Sequence, residues 1–294
     1  MKRLPRAEEK PSAPASSPSW QSQPWQARLA LGFARDGDTT RLVERRHEGP
    51  LRVQKPLYPE SPAVCHAIVV HPPGGIVGGD QLEIGVRLEA GAAAFITSPG
   101  AAKWYRANGR QSCQRLRLKV GAGAALEWLP QETILYDAAE VQIDSEIELE
   151  EDASYLGCDI LCFGRSASGE RFESGRLRQA TRIRRQGRLI WFEQGSLLAG
   201  ADAMRSPLGL GGNTVCATFL AAGRGISPAT LAALREEQQA LGAQFGVTQL
   251  KHMVVARYLG HSSEQARQAM LGVWRHLRPA MLGRTAITPR IWNT

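Results

Sequence analysis

The most unusual run of residue types is His71-Pro-Pro-Gly-Gly-Ile-Val-Gly-Gly-Asp80. Its two prolines (Pro72, Pro73) and four glycines (Gly74, Gly75, Gly78, Gly79) dictate a tight, irregular path. A glycine-rich loop can cradle phosphate, but this one lacks the required pattern. Counting from Gly74, the second Walker glycine falls at Gly79, and Asp80 stands where lysine is needed. An aspartate there repels phosphate unless a metal intervenes, so nucleotide hydrolysis by this chain is excluded. The simpler reading is a rigid loop that fixes sheet geometry, which leaves Asp80 unexplained.

A second carboxylate, Asp159, sits inside Tyr155-Leu-Gly-Cys-Asp-Ile-Leu-Cys-Phe163, a run apolar on both faces and therefore a buried strand. An ionised carboxylate there is costly unless it is paired, hydrogen-bonded or wetted. Glu193, ending Leu189-Ile-Trp-Phe-Glu193, poses the same problem. On residue types alone an internal salt bridge is the simpler answer. A water-lined acidic path for a divalent cation is the functional one, since carboxylate and water ligands let such ions go.

Other chemistries find little support. Cys158 and Cys162 share one strand face and read as small buried hydrophobes. His66, His71, His252, His261 and His276 show no metal spacing, and no GxSxG nucleophile elbow occurs. Between Gly164 and Arg188 eight arginines face only Glu170 and Glu173, a net +6. Such a stripe, with Arg176, Arg178 and Arg182 at its centre, suits an acidic protein partner, although a solvated face is its ordinary meaning. Phe172 is its one aromatic residue, which argues against single-stranded nucleic acid.

These residues need elements to hold them. Leu82, Ile84, Val86 and Leu88 alternate with polar or small neighbours, as do Leu116, Leu118 and Val120, and again Val141, Ile143, Ile147 and Leu149. Period-two alternation predicts half-buried strands. Leu88-Glu-Ala-Gly91 resembles Leu118-Lys-Val-Gly121 and, more loosely, Leu149-Glu-Glu-Asp152, giving a step of about 30 residues. A constant step favours stacked coils over recurrent hairpins in a sandwich. The fold class is therefore mainly β, a β-helix or solenoid-like body with about two C-terminal α-helices. Ser227-Pro228 opens the first helix, which ends near Gly242. Ser262 or Ser263 caps the second, which stops near Pro279.

The 294 residues carry a formal charge of +8, with 43% hydrophobic and 22% charged residues, ordinary for a globular protein. No apolar run of about 18 residues exists, which excludes a membrane-spanning helix. Five cysteines without a CxxC pair indicate neither a disulfide framework nor structural zinc. Residues 1–24 are Pro/Ser-rich, lack an apolar signal core and read as a disordered tail, leaving 25–294 as one domain. A reducing, cytoplasmic setting follows.

Taken together, HPPGGIVGGD (His71 to Asp80), TSPGAAKWYR (Thr97 to Arg106), LEWLPQETILYD (Leu126 to Asp137), CDILCFGRSASGE (Cys158 to Glu170) and the terminal PRIW (Pro289 to Trp292) resemble the urease accessory protein UreD family, called UreH in some organisms. The resemblance covers the chain beyond its tail. It departs at Ala102, where relatives often carry a hydroxyl, and at Ser166, where they often carry proline. It implies a mostly β body with no catalysis of its own, a chaperone of urease maturation. Such a protein docks on apo-urease and binds UreF, which recruits UreG, the GTPase that carries nickel. Acidic residues proposed for a nickel path match Asp80, Asp159 and Glu193. The resemblance thus implies transient Ni²⁺ rather than a tightly bound cofactor, and no nucleic-acid or membrane partner. Two rivals remain: a passive scaffold without a nickel path, and a basic nucleic-acid-binding β protein.

Overall fold

The computed structural model describes residues 24–239 and 244–293. In chain order the elements are β1 (Gln26–Asp36), β2 (Thr39–Glu48), β3 (Arg52–Val53), β4 (Cys65–Val70), β5 (Gln81–Leu88), β6 (Ala93–Thr97), β7 (Ala102–Trp104), β8 (Ser112–Val120), β9 (Ala125–Trp128), β10 (Thr133–Leu135), β11 (Ala139–Leu149), β12 (Ser154–Arg165), β13 (Glu170–Arg171), β14 (Gly175–Arg185) and β15 (Arg188–Leu198). After these come α1 (Asp202–Arg205), β16 (Val215–Ala222), α2 (Pro228–Gln239), β17 (Gln244–Gln249), β18 (Met253–Gly260) and α3 (Ser263–Leu282). The proposed tail, apart from Pro24, lies outside the described residues, as does the expected helix end near Gly242.

The chain visits two sheets in turn. The first has the order β15-β14-β11-β8-β5-β1-β2, and the second runs β17-β18-β16-β12-β9-β6-β4-β3. In the first, β1, β5, β8, β11 and β14 are successive parallel neighbours. In the second, β4, β6, β9 and β12 are parallel too. Short β7 and β10 pair in parallel with each other, and β10 also pairs with the end of β12. The body is thus a solenoid-like stack of coils, as the recurrent step predicted. Parallel strands cannot be joined by tight hairpins, so each coil crosses from one sheet to the other.

The register differs from the sequence expectation in one respect. Leu88 lies opposite Val120, and Val120 opposite Leu149, so the coils are 32 and 29 residues long. The corner residues in left-handed conformation are Gly91, Gly123 and Asp152, at φ of +69°, +64° and +57°. Gly121 instead donates its N–H to Leu88 O at 2.9 Å. The run Gly121-Ala-Gly123 offers two similar glycines, and only the one needing positive φ marks the corner.

Inward-facing side chains of the two sheets form the larger core, which includes Leu82, Ile84, Leu118, Ile147 and Leu177. A second core lies between the other face of the second sheet and α3, with Phe95, Leu156, Ile160, Val273 and Trp274. Cys158 and Cys162 belong to it as small buried hydrophobes, and all five cysteines are free. At α2, Ser227 Oγ accepts from Thr230 N at 3.0 Å. At α3, Ser262 Oγ accepts from Gln265 N at 3.2 Å. Helix α3 continues past the expected stop at Pro279 to Leu282. Proline forfeits a single donor, while Met281 is buried beyond it and Gly283, at φ +65°, closes the helix onto Pro279 O at 3.0 Å. None of the described helices is long and apolar enough to cross a membrane.

Candidate functional site: a cavity with an acidic group between the sheets

A cavity of about 350 Å³ lies between the two sheets. Its lining includes the exposed Gly74, Gly100 and Lys103, so it reaches the surface on that side. Deeper, polar side chains interrupt the apolar phase of the inward-facing strands. Gln114 of β8, Ser145 of β11 and Gln179 of β14 line it from the first sheet, and Asp159 of β12 from the second. Gln131 also lines it, and its buried Nε2 has no hydrogen-bond partner among the described residues. Most of the lining is apolar, but the polar groups around Asp159 and Gln131 offer waters the partners they need.

Asp159 is the one carboxylate among the described lining residues. It makes no hydrogen bond or ion pair with them, so the salt bridge that residue types suggested is not formed. Burial, reinforced by the charge of Glu193, pushes its carboxyl pKa from 3.8 to about 6. The group remains mostly ionised at neutral pH, yet it is poorly compensated by protein.

Two rows of polar residues lead sideways from this point. On the second sheet Asp159 lies opposite Thr218, and Thr218 opposite Arg257. On the first, Ser145 lies opposite Thr181, and Thr181 opposite Glu193. Directly opposed residues share a sheet face, so both rows face inward. They converge where Arg257 Nη2 meets Glu193 Oε1 at 2.7 Å, with these side chains 51% and 37% exposed. Glu193 is therefore a half-exposed, paired group at the edge, whereas Asp159 is partly buried and has no partner among the described residues.

Asp80 is placed differently from the other two carboxylates. It is buried within the Gly/Pro loop and is absent from the cavity wall. Oδ1 accepts from Trp25 N and Oδ2 from Val77 N, both at 3.0 Å. It latches the loop to the start of β1, because a carboxylate can satisfy two orphan amides at once. Backbone hydrogen bonds and close packing hold the loop. Gly74 N bonds His71 O at 3.0 Å, and Ile76 N bonds Lys103 O at 2.8 Å. A Cβ on Gly75 would stand 2.0 Å from the Tyr105 ring, and one on Gly78 would stand 2.5 Å from Asn108 Oδ1. Pro72 and Pro73 are exposed, and Gly79 adopts φ +100°.

The central arginines take the outer face of the first sheet, while Arg165 and Arg171 lie on β12 and β13. Arg176, Arg178 and Arg182 of β14 lie opposite Glu140, Gln142 and Glu146 of β11. The stripe therefore stands beside an acidic neighbour, and its sequence excess overstates the local field. Arg182 also stacks over the exposed Phe192 at 5.1 Å.

Sequence reasoning missed a second charged cluster, on the α3 side of the second sheet. Arg278, wholly buried, donates from Nε to Glu127 Oε2 at 2.9 Å and from Nη2 to Glu60 Oε1 at 2.7 Å. It also bonds Thr285 O. Trp274 Nε1 donates to Glu127 Oε2 at 2.6 Å, and His66 Nε2 lies 2.6 Å from Glu60 Oε1. The terminal PRIW docks alongside, with Trp292 Nε1 donating to Thr97 Oγ1 at 2.8 Å. Among the described residues no three His, Cys, Asp or Glu side chains converge as a metal cage.

Comparison with known proteins places the chain in one family along almost all of its described length. The model of the UreD urease accessory protein family matches residues 26–293. A urease accessory protein UreD of Janthinobacterium sp. (strain Marseille) is 59% identical over 271 residues, covering 92% of each chain. That of Nitrosospira multiformis is 52% identical, covering 92% of this chain and 98% of its own. That of Dechloromonas aromatica is 49% identical over 96% and 98%. This chain belongs to the UreD urease accessory protein family.

Proposed function

We propose that this chain, an accessory to urease maturation rather than an enzyme, conducts Ni²⁺ through its interior toward apo-urease. In this reading UreG releases the ion, UreF hands it on, and the cavity beside Asp159 carries it. The observation that supports this most is the pair of inward polar rows, Asp159–Thr218–Arg257 and Ser145–Thr181–Glu193, running from the cavity to the sheet edge. An unpartnered carboxylate among amides and hydroxyls lowers the barrier for a partly hydrated cation. With no cage around it, the ion is released as readily as it is taken up. Glu193, held by Arg257, stands at the lateral end, and Asp80 acts indirectly by latching the loop beside the cavity. The outer arginines Arg176, Arg178 and Arg182, with Phe192, form the proposed contact for an acidic partner.

Asp159→Leu tests the passage. The variant is expected to retain UreF and apo-urease in co-purification, with the complexes weakening as salt is raised, while nickel loading and urease activation fall. Full activation with both complexes intact would instead leave a passive scaffold as the function.

A further inference from the structure

We infer that the His71 imidazole is a nitrogen-donor contact for the cation in this cavity, set apart from Asp159 and selecting a borderline transition-metal dication over Mg²⁺ or Ca²⁺. The inference rests on the passage reading above and adds a residue and a selectivity to it.

His71 lines the same cavity as Asp159. It follows β4, while Asp159 lies on β12, with β6 and β9 between them. Three strand spacings put the two roughly 14 Å apart, so they form separate stations rather than one cage. Among the described residues the His71 ring makes no hydrogen bond. His66 sets the contrast, since it bonds Glu60 at 2.6 Å and stacks on Phe95 at 4.6 Å. The buried His66 is held by protein, whereas the half-buried His71 leaves its ring nitrogens open to the cavity side.

The backbone around it is nonetheless pinned. The Asp80 latch, the Gly74 N to His71 O bond and the Ile76 N to Lys103 O bond hold the loop on both sides. The loop thus presents a fixed imidazole with unused nitrogens to a wet cavity. Burial lowers the pKa of this ring against an opposing pull from Asp80, which favours the neutral form that ligates metal.

The donor chemistry supplies the selectivity. Carboxylate, amide and hydroxyl oxygens alone suit hard dications, whereas imidazole suits nickel, copper and zinc. With a single nitrogen and no cage, the contact discriminates without trapping the ion.

The test uses the full chain and NiCl₂, with MgCl₂ as competitor. Substoichiometric Ni²⁺ is expected to broaden one histidine resonance, identified as His71 by its loss in His71→Gln, and excess Mg²⁺ is expected not to restore it. His71→Gln should weaken Ni²⁺ binding by at least about tenfold, the loss that even outer-shell contacts can cause, with Mg²⁺ binding unchanged. Asp159→Asn should weaken both. His71→Asn serves if the glutamine variant melts early. An unbroadened His71 resonance, or an unchanged Ni²⁺-to-Mg²⁺ ratio, overturns the inference. Those results with activation still lost in Asp159→Leu would remove only the nitrogen contact. Intact activation in Asp159→Leu would instead remove the passage itself.

Discussion

Opposite faces of the second sheet handle charge in opposite ways. On the α3 face, Arg278 is enclosed by Glu127 and Glu60, with Trp274 and His66 completing the network. On the cavity face, Asp159 has no partner among the described residues and faces an open space shared with Gln114, Ser145 and Gln179. A charge removed from water must be paired or kept wet. The first face pairs it and gains a fixed helix position. The second leaves it without a protein partner, a cost to stability that the proposed passage would account for. A cluster of charge is therefore weak evidence of function here, and a lone, uncompensated one is stronger.

Three changes would break or sharpen this contrast. The largest effect is expected for Arg278→Ala, which strands two buried carboxylates at a cost of about 3–5 kcal/mol. A urea midpoint followed by tryptophan fluorescence should fall accordingly. A shift under 1 kcal/mol would mean that the α3 face is wet as well.

Asp159→Asn should move the other way. Its carboxyl pKa is raised to about 6 in the folded chain from 3.8. The folded state therefore holds the extra proton between those values. Its ionisation costs stability fully above about pH 6, and the cost fades toward pH 4. Removing the charge should stabilise the protein by up to about 3 kcal/mol at pH 7, with the gain shrinking as pH falls. Destabilisation at pH 7 would point to a hidden partner and return Asp159 to the structural class.

Glu193→Gln is expected to have the smallest effect. Its pair with Arg257 is substantially exposed, so the loss should stay within about 1 kcal/mol. The informative readout is Asp159, whose carboxyl pKa should drop once the neighbouring negative charge is gone. No movement would separate the two rows electrostatically and weaken the idea of a shared track.

Part of the cavity was legible in the residue order. Asp159 announces itself because every other residue of Tyr155 to Phe163 suits a strand covered on both faces. Gln114, Ser145 and Gln179 carried a signal that went unread: each breaks the inward apolar phase of its strand, and a row of such breaks outlines a wet interior. The tight path of the loop was equally visible in its Pro and Gly content. What Asp80 does was not, because a buried aspartate on a path and one closing a turn look alike until the two amides are placed.

Local order determined the alternation of strands, the coil-like step, the helix caps and the presence of an out-of-place carboxylate, since each follows from neighbours a few residues apart. Tertiary structure alone decided the coil register, the pairing of Arg278 with Glu127 across 151 positions and of Arg257 with Glu193 across 64. It also decided which carboxylate is left facing water. Those outcomes depend on which coil stacks on which, and a shift of two residues at one corner changes every partner across the sheet without altering the pattern along the strand.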